Sequence, residues 1–319
     1  MNLIAFLKKW TLPFAIANGT AGYFLFSQIE LLQPIGNIAG PILVGLLPYV
    51  IFLMLYITFC KINVNDMKPR PWHFILQGVR ILLSALLVYL ISLSSDCTTR
   101  IVLQGVFICV ICPTAAAAPV ITEKLGGSIS SLTIYMLLAN VVTAIIIPLF
   151  FPMVEKNVEM SFFIAFLAIL KRITLVLVVP LALALLTRRF LPQLCQYIQR
   201  KKDWAFYLWA FNLSIVIGLT LKTILHTQLS GTVLALLLIA PLIVAVVLFS
   251  IGKAVGYRYG ESIGAGQALG QKNTIVGIWL TIAFLNPAAS IAPCAYVIWQ
   301  NLINAWQLWY KEKYGILKW

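Results

Sequence analysis

Apolar runs of about 20 residues recur along nearly the whole chain, parted only by short polar stretches. A helix rising about 1.5 Å per residue needs a run of that length to cross a hydrocarbon core of about 30 Å. The runs are continuous rather than alternating, which argues against the strands of a β-barrel. Charged residues make up 10% of the chain, against about 25% in an ordinary soluble domain. A chain of 319 residues cannot hide that many apolar helices from water on all sides. The expected fold is therefore an all-α polytopic membrane protein. Ten transmembrane helices are predicted, at 11–29, 38–60, 73–94, 101–123, 128–151, 172–190, 204–225, 231–252, 264–285 and 287–309. The stretch from Trp10 to Phe26 lacks a small-residue cleavage site, so it reads as a retained helix rather than a signal peptide.

The net charge of +14 comes from Lys and Arg in short loops, where they set topology, and carries no nucleic-acid signal. With the N-terminus inside, the inner side receives sixteen basic residues, among them Lys8, Lys9, Lys61, Arg70, Lys124, Arg188, Lys253 and Lys318. The outer side receives five: Arg100, Lys156, Lys171, Arg172 and Lys222. That bias predicts both termini on the cytoplasmic side of an inner (plasma) membrane. Arg80 and Lys272 are left over, inside spans three and nine.

Residues 152–171 open with Glu155, Lys156 and Glu159 and turn apolar from Phe162 to Leu170. They read as a linker with an interfacial helix, between five-span halves at 1–151 and 172–319. An odd number of spans per half inverts the second half. Lys8-Lys9-Trp10-Thr11-Leu12 before span one is echoed by Lys171-Arg172-Ile173-Thr174-Leu175 before span six.

Two spans at corresponding places in the halves are interrupted, which points to a transporter's binding site. In span four, Pro113 and Pro119 each remove a backbone donor and clash with the carbonyl four residues earlier. The freed carbonyls must find partners in protein, water or ligand. Thr114 and the small residues Ala115 to Ala118 between the prolines permit close approach of another backbone. In span nine, Gly264, Gly266 and Gly270 weaken the helix, while Gln267, Gln271, Lys272 and Asn273 crowd polar atoms into it. Gln267, Gln271 and Thr274 share a face. Lys272 lies about 12 Å into the span, so it either lines a cavity or snorkels to the inner interface. The same alternatives hold for Arg80, with Gln77 one turn earlier. Asn140 and Asn212 read as interhelical hydrogen-bond partners more readily than as ligand contacts.

Tryptophans such as Trp72, Trp204, Trp306 and Trp319 suit interfacial belts. The six cysteines are expected to be free thiols. Cys109 and Cys112 have CxxC spacing but no companion ligands, so no metal and no cofactor is expected. Nine acidic residues and two histidines supply no catalytic constellation at membrane depth, so the chain is not read as an enzyme.

Four stretches carry a family resemblance: Lys8-Lys9-Trp10-Thr11-Leu12-Pro13; Phe59-Cys60-Lys61-Ile62 with Trp72-His73; Cys112-Pro113 with its run of small residues; and Gln271-Lys272-Asn273. Along nearly its full length the chain resembles the bile acid:sodium symporter family. The resemblance implies two inverted five-helix repeats. A panel is made of spans one, two, six and seven, and a core of the other six, with spans four and nine unwound and crossing. It also implies amphipathic or small organic anions as substrates, and coupling to two sodium ions in many members.

The departures from that pattern bear on coupling. Gln267 stands where sodium-coupled members place an acidic ligand, and Lys272 where they place an asparagine. Pro119 replaces a span-four asparagine, Arg80 falls at a span-three glutamine, and Leu132 and Met136 replace hydroxyl ligands in span five. Loss of oxygen ligands and gain of two cations disfavour sodium. The expectation is a secondary transporter of organic anions working by alternating access at the crossing, without the usual two sodium sites. Lys272, with Arg80, substitutes for the ion. A membrane sensor, a channel, or an ordinary sodium-coupled symporter with atypical ligands are the alternatives.

Overall fold

The computed structural model describes residues 11–62, 64–155, 164, 167, 171, 174–201 and 203–317. The predicted interfacial helix at Phe162–Leu170, with Lys156 and Glu159, falls almost wholly outside the described residues. So do Lys8, Lys9, Arg172, Lys202, Lys318 and Trp319.

The described residues form thirteen α-helices and no strands. In chain order these are α1 (Thr11–Gln28), α2 (Gln33–Cys60), α3 (Pro71–Leu93), α4 (Cys97–Ile111), α5 (Ala118–Leu125), α6 (Ile129–Val154) and α7 (Val179–Phe190). They continue with α8 (Pro192–Arg200), α9 (Trp204–Leu225), α10 (Gly231–Tyr257), α11 (Ser262–Gly270), α12 (Thr274–Phe284) and α13 (Ile291–Tyr314). Five of them, α2, α3, α6, α9 and α10, are long and apolar enough to cross a membrane. Large apolar side chains such as Ile38, Leu82, Ile243 and Phe190 point outward, each more than half exposed. That surface suits lipid, and the chain is an integral membrane protein.

Helix ends follow local chemistry. Asp96 accepts from Thr99 N at 2.7 Å and starts α4; Asn273 accepts from Val276 N at 3.3 Å and starts α12. Gly126, with φ of +85°, ends α5 in the left-handed region that glycine tolerates. Helix α8 is a finding beyond the sequence reading. Its nine residues are too few and too polar to resemble a span, yet Cys195 and Ile198 lie one turn apart and are buried.

The chain divides into two compact units. One draws on residues 1–61 and 176–226, the other on 62–175 and 227–319, as far as these are described. In the first unit α1 packs on α9, with Gly19 so close to the Ser214 carbonyl that a Cβ would lie 2.3 Å from it. There the Cys60 carbonyl, freed at the end of α2, accepts from Arg188 Nη2 at 3.0 Å and Gln199 Nε2 at 2.8 Å.

The second unit holds both broken segments. An apolar core there joins Phe107, Ile108 and Ile111 of α4 to Ile147 and Phe151 of α6 and Leu280 of α12. Helices α10 and α11 pack through glycines: a Cβ on Gly252 would lie 2.4 Å from the Ala265 carbonyl oxygen. The glycines of span nine therefore do not break it. Gly264, Gly266 and Gly270 all lie within α11, where they admit α10 to close contact. Lys253 also departs from its expected place in an inner loop. It lies within α10, buried, with its stem over Gly266. Trp72 is completely buried and stacks on Tyr135 at 5.6 Å, so it belongs to no interfacial belt; Trp204 and Trp306 are partly exposed.

Candidate functional site

The site follows from one missing donor. Pro113 has no N–H to return to the carbonyl of Cys109, so α4 stops at Ile111 and leaves carbonyls at its end without helical partners. The next residues stay non-helical until Ala118, with Ala116 and Ala117 in a turn. Pro119 plays no part in that interruption. It sits in the first turn of α5, where a missing N–H costs nothing. In the other half, the chain leaves the helix only at Gln271, Lys272 and Asn273, between α11 and α12.

The two gaps satisfy each other. Thr114 and Lys272 pair as an isolated antiparallel bridge. Asn273 N donates to Pro113 O at 2.8 Å, and Ala115 N donates to Gln271 O at 3.2 Å. The Thr114 hydroxyl donates to Ala268 O at 2.7 Å. Two cations take three of the carbonyls at the end of α4. Lys272 Nζ donates to Val110 O at 2.8 Å and Cys112 O at 3.3 Å. Arg80 Nη1 donates to Ile111 O at 3.2 Å and to Thr143 Oγ1 at 2.7 Å, and Nη2 donates to Ala139 O at 2.9 Å. Lys272 is 2% exposed and Arg80 1%. Neither side chain snorkels; both end on a helix C-terminus, where the macrodipole favours positive charge.

Amides hold the second gap in place. Gln300 accepts from Lys272 N at 2.8 Å and donates to Lys272 O at 3.3 Å. Tyr296 donates to Gly270 O at 2.7 Å. Gln271 donates to Gln267, and Gln267 Nε2 donates to Gln307 Oε1 at 2.7 Å. The shared face expected of Gln267 and Gln271 is thus occupied by neutral carboxamides. Gln300, Tyr296 and Gln307 of α13 escaped the sequence reading; polar residues at three- and four-residue spacing along an apolar span were the available signal.

The Asn140 amide turns to its own helix and donates to Met136 O of α6 at 2.7 Å, because a carboxamide easily turns back to the carbonyl four residues earlier. Gln77 lies buried with neither amide atom hydrogen-bonded. Asn212 of α9 lies in the other unit, its Oδ1 likewise unpartnered. Leu132 and Met136 are buried in α6. Pro113, Thr114, Ala118 and Pro119 thus sit at the first gap. Lys272 and Asn273 sit at the second, and Arg80 reaches the first from α3.

At the start of α3, the Arg70 guanidinium pairs with Glu261, which precedes α11. Burial pushes the Glu261 carboxyl up from its ordinary value, and Arg70 opposes that shift only in part. His73 Nδ1 accepts from Arg70 N at 3.2 Å, which makes its Nε2 the donor toward Ser131 Oγ at 3.2 Å.

A family model described as the sodium bile acid symporter family matches residues 48–227. No curated protein matches the sequence. The matched region takes in Arg80 and the whole first gap and ends before α11, so Lys272 lies beyond it.

Proposed function

Because the chain belongs to the sodium bile acid symporter family, a family of transporters, we propose that it carries organic anions across the membrane by alternating access, with Lys272 and Arg80 in place of bound sodium. Ten spans serve this mechanism, with α4–α5 and α11–α12 each counted as one broken span. The halves at 1–151 and 172–319 are inverted repeats around the linker 152–171. The two compact units, one built from α1, α2, α7, α8 and α9 and the other from the remaining helices, support a panel and a core. The cationic loops support an inner-membrane orientation with cytoplasmic termini.

The observation that carries this reading is the ammonium of Lys272 on the carbonyls of Val110 and Cys112. A cation bound between the gaps would need those oxygens, and they are already occupied by a covalently fixed charge. Gln267 adds no carboxylate. Sodium then has neither ligands nor charge to hold it.

Binding by the purified protein tests this. A panel of bile acids and short keto- and hydroxy-carboxylates is screened by thermal stabilisation, in sodium and in choline. At least one organic anion is expected to stabilise the protein equally in both. A saturable sodium dependence of that stabilisation would overturn the proposal.

A further inference from the structure

One face of α3 carries Gln77, Arg80 and Ser84 at three- and four-residue spacing, so the three side chains project together. All are buried, at 5%, 1% and 0% exposure. Arg80 spends its two terminal nitrogens on Ile111, Thr143 and Ala139. Its Nε, both amide atoms of Gln77 and the Ser84 hydroxyl have no hydrogen-bond partner among the described residues. Buried polar atoms rarely stay unpartnered, since each has given up the hydrogen bonds it makes in water. Here three donors go unused along a single helix face.

Charge is unbalanced at the same place. Arg80 and Lys272 are both buried, and every hydrogen-bond acceptor they use is a carbonyl or a hydroxyl. None of the eight described acidic residues is buried. The end of α4 supplies only about half an elementary charge of negative potential. Two buried cations are therefore left with a shortfall of negative charge. Unused N–H and O–H donors beside unbalanced positive charge are what a carboxylate or a small inorganic anion needs.

We propose that Gln77, Arg80 Nε and Ser84 form the dock for an anionic group, the carboxylate of a transported organic anion or a free inorganic anion of the same chemistry. In the first case the inference rests on the transport reading above. The atoms are enclosed in this conformation, with α3 packed on α4 and α6. An anion reaches them when those helices part, which ties its binding to opening.

The test uses full-length purified protein, with acetate and chloride as probes against isethionate at constant ionic strength. The thermal unfolding midpoint of the wild type is expected to rise saturably with acetate, chloride or both. Acetate alone marks a carboxylate dock, and chloride marks an inorganic counter-ion. Gln77→Leu should raise the half-saturating concentration about tenfold, as for loss of a hydrogen bond to a charged group. Gln77→Glu, which brings its own carboxylate, should raise the midpoint in isethionate and abolish the response. A purely structural Gln77 would show neither effect. No response of the wild type to either anion overturns the proposal, as does a response that both variants leave unchanged. Uptake of organic anions into proteoliposomes, measured in parallel, separates the two readings. Uptake with an anion response indifferent to Gln77 sinks the dock and leaves transport standing. A response that depends on Gln77, without uptake of any organic anion, does the reverse.

Discussion

Lys272 holds its place through its partners, which lie more than 150 residues away in the chain. Its ammonium takes two of the carbonyls exposed where the break at Pro113 ends α4. Lys272→Met preserves the length of the side chain and removes the donor. The carbonyls of Val110 and Cys112 would then be buried unsatisfied, at a cost of about 1–3 kcal/mol each. Denaturant unfolding in detergent should show a loss of that size, and an unchanged midpoint would contradict the assignment. Arg80 acts on Ile111 in the same way. From sequence, both cations were recognisable as anomalies of the membrane interior. Snorkelling and an inward role could not be separated, because a stem that reaches the interface also reaches a carbonyl one span away.

Between elements, the α10–α11 contact depends on absent side chains. A Cβ at Gly252 would meet the Ala265 carbonyl oxygen at 2.4 Å and the Gly266 Cα at 2.9 Å. Both are backbone atoms, so the helices must separate. Gly252→Ala should cost about 1–3 kcal/mol as overpacking. Gly78→Ala in α3, with nothing within 4 Å of its Cβ, should instead gain about 0.5–1 kcal/mol of helix propensity. Paired unfolding measurements decide whether the glycines pack or merely loosen. The Arg70–Glu261 pair ties α3 to the start of α11. Since burial raises the Glu261 carboxyl, the folded state keeps its proton longer than the unfolded one. Stability should then fall as pH climbs through the unfolded carboxylate value of 4.5 toward the folded one. Glu261→Gln should flatten that part of the profile, read as thermal midpoint against pH; a parallel decline in the variant would exclude Glu261 as its source.

For the molecule as a whole, outward-facing apolar residues place it in a bilayer, and the proposed orientation, with both termini inside, rests on the basic loops. Cys97 is exposed, and the other five cysteines are buried. With the termini inside, Cys97 faces outward at the start of α4. An impermeant maleimide added to intact cells should label the protein at Cys97, and Cys97→Ser should abolish the signal. Labelling of the wild type only from the inside would reverse the orientation.

The sequence by itself determined the all-α membrane character, the two interruptions and the anomalous cations. Those follow from run length, proline chemistry in span four, the crowding of polar residues in span nine and the cost of charge in hydrocarbon, all of which are local to the chain. It misplaced Trp72, Lys253, Pro119 and the glycines of span nine. Each looks the same locally whether it faces lipid, loop or another helix. Only the tertiary structure decided which carbonyl each cation takes, that the two gaps pair through Thr114 and Lys272, and that the face of Gln77, Arg80 and Ser84 leaves three donors unspent. The physical reason is distance along the chain. The partners are brought together by the packing of helices whose apolar surfaces are nearly interchangeable, and backbone groups that no helix can satisfy then select among them.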